Sequence, residues 1–404
     1  MKRNWGPLAI ILGGVGGILG WLGTASVVIN RLGPVLYQDW IVFYSAGTAI
    51  RAGMSDLVYD GTHLTAFEAA LLGPWFTGPV TLHPFLYPPP FLLLLAPLSL
   101  LPFAVSYVGF DMASALAAVA ALARRERGGY DWWRGLMLLA FIPACTNALT
   151  GQNGALSLAL TVSGFRLLER RPAWAGAVLG LLSYKPQLFL LVPVALAAAR
   201  AWRALAACAV SAAALVLLSA LAFGPETWLL WIKAGVEARD PSYAEWFRET
   251  YLGGYGIYVV AARFGAPDLV AKALQAGAIL IGAGATYWAY AREGRTEAKL
   301  AVLLAAMIAA APHLEAYDMM LLSAAAILIF TNAAGEIGFA EFVLLAAIWI
   351  LPLLRPSLTV AGLLVPVVLF GSVYVALRAL APQSTRPRTS ALVDARPVQD
   401  ERVG

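Results

Sequence analysis

The sequence predicts an all-α polytopic membrane protein. The chain of 404 residues is 60% hydrophobic and 13% charged, whereas a soluble domain is nearer one half apolar and one quarter charged. Long apolar runs alternate with short polar segments, and one membrane-spanning helix takes about 20 apolar residues. We therefore expect about 12 crossings, all within a single transmembrane domain over residues 1–382.

The first apolar run covers residues 7–29 and follows two basic residues. This run is too long for the core of a signal peptide, so we expect an uncleaved first helix that starts in the cytoplasm. A long polar segment over residues 31–90 is predicted to be the first outer loop. Inside it, residues 40–51 and 63–72 have the helical, half-apolar pattern of helices that lie in the membrane interface.

The later spans are uneven in length. Residues 103–123 predict a full-length crossing, whereas several of the following runs are shorter and punctuated by proline. The short runs over residues 174–184 and 188–199 are predicted to form a hairpin with Lys185 at its outer tip. Alternatively they make one long helix, and every later segment would then change sides. The other predicted segments are a dipping helix at residues 91–101, spans at 136–149, 155–168, 204–223 and 269–290, four runs ending near residues 312, 330, 353 and 380, a second outer loop at 224–256, and a disordered cytoplasmic tail at 383–404.

The basic residues predict the orientation. Most of the 28 lysine and arginine residues fall in segments that we assign to the cytoplasm. Both termini are therefore expected inside, in the cell (inner) membrane, with the long loops outside. The net charge of +5 does not indicate nucleic-acid binding, because the basic residues border apolar spans and form no single patch. Cys145 and Cys208 lie in apolar runs and are predicted to be buried free thiols.

Asp39 is the candidate catalytic residue of the first outer loop. It lies between two aromatic residues, Tyr37 and Trp40. A carboxylate at a membrane interface, partly shielded by aromatic rings, has the character of a general base. The alternative is a solvated loop aspartate. Asp60, which precedes Gly61, is interpreted as a turn residue.

Lys185 is the second candidate. A charge between two apolar runs is costly and therefore indicates a functional site, and an ammonium group suits a phosphate. The alternative is a lysine at a helix end that extends to the interface. Gln152 and Asn153 form another polar tip on the same predicted side, where they either hydrogen-bond a sugar or only make a turn.

A third group follows Pro312. His313, Glu315 and Asp318 are three titratable residues within six positions at the predicted outer end of a span. They suggest a site, but one histidine with scattered carboxylates is a weak metal signature, so we expect no metal. His63 and His83 are interpreted as loop histidines.

Several short motifs resemble glycosyltransferase family 87, within the GT-C membrane glycosyltransferases. The resemblance spans about residues 30 to 330 and is carried by the order and spacing of these motifs. They are Asp39-Trp40, Tyr44-x-Ala46-Gly47, Leu57-x-Tyr59-Asp60, Tyr87-Pro88-Pro89, Pro97-Leu98 with Leu101-Pro102, Gly151-Gln152-Asn153 and Lys185-Pro186-Gln187.

The resemblance implies a GT-C fold and an inverting enzyme. Its donor would be a polyprenyl-phosphate sugar, typically mannose, and its acceptor an extracytoplasmic lipid or glycan in or near the bilayer. Asp39 would be the base, and no cofactor is implied. Lys185 and His313 would provide positive charge and hydrogen bonds for the leaving phosphate. The other donor-binding candidates are Tyr44, Tyr87, Gln152, Asn153, Glu315 and Asp318.

Two other function classes stay open at this point. A lipid or solute transporter would place its charged residues in the middle of its spans, whereas here they gather at the predicted outer ends. A non-catalytic membrane scaffold would not need a lysine at the tip of a short hairpin.

The sequence departs from the resemblance at one motif. Related mannosyltransferases have a Trp-Glu-His-His run after the proline that corresponds to Pro312, and this chain has His313-Leu314-Glu315 there.

Overall fold

The computed structural model describes residues 38–72, 82–126, 128–237, 254–332, 338–351 and 359–380. Within these ranges every named element is a helix, and a single isolated bridge pairs Arg124 with Tyr130. The all-α prediction is therefore confirmed for this part of the chain. The predicted first span (7–29), Tyr37, the middle of the second outer loop (238–253) and the tail (383–404) lie outside the described residues.

The described part of the first predicted outer loop, residues 38–72 and 82–90, is largely helical. It contains α1 (Gln38–Arg51), α2 (Ser55–Tyr59) and α3 (Gly61–Leu72), so the two helical patterns in this loop are confirmed as helices. A 3₁₀ turn at Pro89–Phe91 leads into α4 (Leu92–Leu98). A side chain at Gly47 in α1 would collide with the backbone of Leu95 in α4, so glycine allows these two helices to pack closely.

The remaining helices form the body of the protein. Three more 3₁₀ turns, Met137–Ala140, Leu181–Tyr184 and Ala316–Met319, join some of them. In chain order the helices are α5 (Phe103–Ala123), α6 (Trp132–Leu136), α7 (Ile142–Thr150), α8 (Gly154–Leu167), α9 (Pro172–Gly180), α10 (Pro186–Phe189), α11 (Val192–Ala198), α12 (Trp202–Phe223), α13 (Glu226–Glu237), α14 (Ile257–Arg263), α15 (Asp268–Tyr290), α16 (Thr296–Ala310), α17 (Met320–Asn332), α18 (Phe339–Ile350) and α19 (Thr359–Leu380).

Four of the described helices are long and apolar enough to cross a membrane. They are α5, α12, α15 and the segment Gly362–Leu380 of α19. The predicted count of about 12 crossings is not confirmed, because several predicted spans are interrupted. The run at residues 136–149, for example, is divided between the end of α6, a 3₁₀ turn and α7, and the break lies at Phe141, two residues before Pro143.

One short helix forms the centre of the bundle. α16 has 15 residues, and its residues 300–310 are at most 1% exposed. A helix that is apolar on all sides must be enclosed by protein or lipid, and α16 is enclosed by protein. It packs against α15, α17 and α19, with Gly282 of α15 in close contact with Ala306 and Ala310.

The segment around Lys185 is a hairpin, as predicted. Gly176 of α9 lies against Ala204 of α12, and Gly180, one turn later, lies against Cys208. The contacts advance together along both chains, so α9 and α12 run parallel and the segment between them must run back. Lys185 lies at the reversal, with the non-helical angles φ −128° and ψ 78°. The alternative of one long helix is thus excluded.

The helices of the body carry polar clusters at both ends. α8 begins with Gly154 at one end and carries Arg166 near the other, about 20 Å apart at the rise of an α-helix. At the Arg166 end, Glu297 accepts a hydrogen bond from Arg134 Nη1 at 2.7 Å and lies 3.4 Å from Arg166 Nη2. We call this the arginine end, and we call the end with Gly154 the site end.

Candidate active site

A turn between α7 and α8 is the structural centre of the site end. Gly151 has a φ of +74°, and a side chain there would lie 2.6 Å from Cβ of Trp40. At the other side of the turn, a side chain on Gly154 would lie 2.5 Å from the carbonyl oxygen of Tyr317. Only glycine fits these two positions. The turn therefore brings the start of α1 and the segment after Pro312 together across Gln152 and Asn153.

Lys185 lies under this turn and is almost completely buried. Its side chain is 1% exposed. Nζ donates to Asn153 Oδ1 at 2.8 Å and forms an ion pair with Asp318. The rings of Tyr87 and Tyr317 lie 5.9 and 5.0 Å from Nζ, within the range of a cation–π interaction. A buried ammonium group needs such partners to offset the loss of water.

Gln152 connects this cation to the first loop. Its Oε1 accepts from the backbone N–H of Asn153 at 3.2 Å and from the hydroxyl of Tyr87 at 3.3 Å. The oxygen is thereby engaged, and the amide NH₂ of Gln152 is left to donate to Asp39, whose charge it stabilises. Tyr184, the neighbour of Lys185, lies on the same side of the turn and forms a hydrogen bond of 2.7 Å with Ser157 of α8.

Asp39 lies in the first turn of α1 and is half-buried. Burial raises the pKa of Asp39 above its ordinary value of 3.8. The charges of His83 and Lys185 and hydrogen bonds from the side chains of Thr150 and Gln152 lower this pKa but do not cancel the effect of burial. A carboxylate with a raised pKa is a stronger base than one in water, provided that it stays ionised.

The cluster after Pro312 completes the same site. The backbone N–H of Glu315 donates to Asp318 Oδ2 at 3.3 Å, and His313 Nε2 lies 3.8 Å from Glu315 Oε1. Burial, with the charges of Asp318 and Asp39, raises the pKa of Glu315 to about 8. Burial, with the charge of Lys185, lowers the pKa of His313 to about 4, against the opposing effect of Asp318. Near neutral pH, Glu315 therefore carries a proton and His313 is uncharged.

Most of the residues singled out from the sequence meet in this site. Tyr44 is the exception, because its described contacts are with other residues. Its hydroxyl donates to the carbonyl of Leu101 at 3.0 Å, and its ring packs on Phe103. The residues that converge are Asp39, Tyr87, Gln152, Asn153, Lys185, His313, Glu315 and Asp318.

Other predicted roles can be compared with their positions. Asp60 accepts from the backbone N–H of His63 at 3.0 Å and stabilises the start of α3, consistent with a turn residue. Cys145 and Cys208 are buried thiols and are not joined in a disulfide, as predicted. Among the described residues, no group of three or more His, Cys, Asp or Glu side chains is placed to hold a metal ion; that the enzyme needs no metal stays a prediction.

Some residues of the site were not expected from the sequence. His83, Thr150, Tyr184 and Tyr317 all contact the candidates or act on their charges. Tyr184 and Tyr317 are adjacent to candidates in the chain, and this proximity was a usable signal. His83 comes close to Asp39 only through the fold, and its sequence neighbourhood carries no indication of this.

The comparison with known proteins identifies the family. The model of glycosyltransferase family 87 matches residues 85–323. No curated protein and no solved structure matches the chain. The matched region includes Tyr87, Gln152, Lys185 and Asp318, and Asp39 lies before it. Since the match covers more than half of a chain whose helices have membrane character, the protein belongs to glycosyltransferase family 87.

Proposed function

We propose that the protein is an inverting hexosyltransferase of the membrane. It moves a hexose, most simply mannose, from a polyprenyl-phosphate donor to an extracytoplasmic lipid or glycan acceptor. The observation that carries this proposal is the joining of Asp39 and Lys185 by one turn, Gln152–Asn153. Transfer from a sugar phosphate requires a base and a cation, and here Gln152 binds the base and Asn153, the next residue, binds the buried cation.

In the proposed reaction, Asp39 accepts the proton of an acceptor hydroxyl. The acceptor oxygen attacks the anomeric carbon as the bond between that carbon and the phosphate oxygen breaks, and the configuration inverts. The bonding electrons leave with the phosphate, which is stable as an anion, so no acid catalyst is needed.

Lys185 and Glu315 suit the binding of the phosphate. An ammonium group has three N–H donors, and Lys185 directs donors to Asn153 and Asp318, which leaves one for a phosphate oxygen. Because the pKa of Glu315 is raised to about 8, this residue can donate its proton in a hydrogen bond and does not repel the phosphate at neutral pH. His313, as an uncharged imidazole, would bind through hydrogen bonds and not through charge.

The proposed side of the membrane follows from the two ends of the bundle. Arg134 and Arg166 lie at the arginine end, and Asp39 and Lys185 lie at the site end. The positive-inside rule would place the arginine end in the cytoplasm. The site would then face outward. From the distribution of basic residues in the sequence, we further propose that both termini are cytoplasmic and that the membrane is the cell (inner) membrane.

The decisive experiment supplies the proposed donor. Purified protein is incubated with polyprenyl-phosphate-mannose and a membrane glycolipid fraction, and the anomeric configuration of the product is read by NMR. We expect transfer with inversion, unaffected by EDTA. Retention of configuration, or complete loss with EDTA that Mg²⁺ or Mn²⁺ restores, would overturn the mechanism. Movement of the lipid donor across vesicles without any transfer would favour a transporter.

A further inference from the structure

A buried acidic residue and a histidine lie behind Asp39 and have no role in the reaction described so far. Glu68 of α3 is fully buried, and His83 Nδ1 lies 3.6 Å from its Oε2. In the part of the chain that the structure describes, neither oxygen of Glu68 has a hydrogen-bond partner. A buried carboxylate without compensation is costly, so the nearby imidazole is the group that offsets its charge.

The backbone holds His83 in this position. Its N–H donates to Thr65 Oγ1 at 2.8 Å, and this hydroxyl donates in turn to the carbonyl of Gly61 at 2.7 Å. Thr65 and Glu68 are three residues apart and so share one face of α3. Pro84 packs against Gly61, where a side chain would lie 3.0 Å from Cβ of Pro84. The segment with His83 is thus fixed over Glu68 at two successive residues.

The segment with His83 packs on α1 close to Asp39: the rings of Phe85 and Phe43 meet edge to face with centroids 6.4 Å apart, and Phe43 lies one turn after Asp39 on the same face of α1. Burial alone lowers the pKa of His83, but Glu68 and Asp39 outweigh this effect and raise it above its ordinary value of 6.5. Burial raises the pKa of Glu68 above its ordinary value of 4.5, and His83 opposes this effect in part. The imidazole therefore interacts with a carboxylate on each side, one buried and one in the site.

The other charged groups around Asp39 cannot replace His83. Lys185 faces Asp39 but is held by Asp318, and under the proposed function it also binds the phosphate. Glu315 faces Asp39 as a further acidic group. Tyr87 and Tyr317 are also near Asp39, whose negative charge contributes to the raised pKa of both phenols.

We propose that Glu68 and His83 are a positioning pair that keeps Asp39 ionised: Glu68 holds His83 as an imidazolium, and this cation stabilises the negative charge of Asp39. The catalytic meaning of the pair rests on the proposed function. Burial favours protonation of Asp39, and a protonated carboxyl cannot act as a base. His83 gains its own proton as the pH falls, so the stabilising charge is present where Asp39 needs it.

Selective labelling can test this pair directly. The chain has 3 histidines, so the full protein with ¹³C-labelled imidazoles gives few NMR signals, which His63→Gln and His313→Gln assign. We expect the His83 signal to titrate above pH 6.5. Asp39→Asn and Glu68→Gln should each lower its midpoint by about one pH unit, the usual effect of removing one opposite charge.

The matched control is Asp60→Asn. Asp60 lies 2.8 Å from Nδ1 of the exposed His63, and its loss should leave the His83 midpoint unchanged. If Asp39→Asn, which is nearly isosteric, does not shift His83, the proposal is wrong, and this holds even if Glu68→Gln fails to fold. Coupling is reciprocal, so the shift also gives the amount by which His83 lowers the pKa of Asp39.

The pH dependence of sugar transfer provides the second readout. His83→Gln should move the acidic limb of the rate profile about one unit upward, whereas His83→Arg, a permanent cation, should restore it. Transfer in which both variants keep the wild-type profile would overturn the pair's role. The two proposals fail separately: coupling of His83 to Asp39 without any sugar transfer would overturn the proposed function alone, and transfer without coupling would overturn the pair alone.

Discussion

Lys185 and Asp318, which are 133 residues apart in the sequence, form an ion pair in which both side chains are at most 2% exposed. The pair joins the hairpin after α9 to the turn before α17. In the proposed reaction a phosphate shares the lysine with Asp318. The same cation therefore serves both the stability of the fold and the binding of the donor, and mutations can separate the two contributions.

Lys185→Ala is expected to weaken donor binding strongly and to lower the free energy of unfolding by about 3–5 kcal/mol, because Asp318 is left buried without a partner. Lys185→Arg should keep part of the affinity, since it keeps the charge. The double variant Lys185→Ala, Asp318→Asn removes the unpaired charge and should recover stability but not donor affinity. Donor titrations and denaturation in detergent measure the two effects. Equal donor affinity for wild type and Lys185→Ala would remove Lys185 from the site.

Asp39→Asn is expected to lower the rate of transfer by about two to four orders of magnitude, the usual contribution of a general base. The substitution is nearly isosteric and leaves the cation of Lys185 in place, so donor affinity should change little. Single-turnover rates and donor binding separate the two quantities. Asp56→Asn, in the same predicted loop but exposed, is the matched control and should behave as wild type. A stable Asp39→Asn protein with a near-normal rate would contradict the mechanism.

Donor binding is expected to weaken as the pH rises through about 8, the pKa of Glu315. Below this pH the carboxyl is protonated and can donate to a phosphate; above it, the carboxylate repels the phosphate. Glu315→Gln keeps a donor at every pH and should remove the alkaline loss. Donor affinities between about pH 6 and pH 9.5, spanning this pKa, measure the effect. The same alkaline loss in Glu315→Gln would assign it to another group.

Glu297→Gln is expected to destabilise the protein by about 3–5 kcal/mol, because Arg134 and Arg166 would stay buried without their carboxylate. Their side chains are 5% and 6% exposed. Glu293→Gln removes an exposed acidic residue near the same end and should cost less than about 1 kcal/mol. Unfolding in detergent measures both variants. Donor affinity should be unchanged, since Glu297 lies at the arginine end; a specific loss of donor binding would contradict the separation of the two ends.

The sequence by itself determined the class of the protein and most of its helices. Apolar composition and run length predict membrane helices, because a helix that crosses a bilayer must be apolar and about 20 residues long. The run at residues 103–123, for example, agrees with α5 at both ends. The motifs around Gln152 and Lys185 identified the family, and the family match includes them. These signals are local, so they can be read along the chain.

Only the tertiary structure decided which residues meet. The sequence does not show that α16, which runs from Glu297 at the arginine end toward the site end, is enclosed by protein on all sides. It also does not show the break at Phe141, which divides another predicted span. Likewise, no sequence pattern predicts that His83 and Glu68 lie near Asp39, or that Asp318 pairs with Lys185. Such contacts depend on close approaches at Gly151, Gly154 and Gly176, and packing geometry of this kind is a property of the whole fold and not of any one segment.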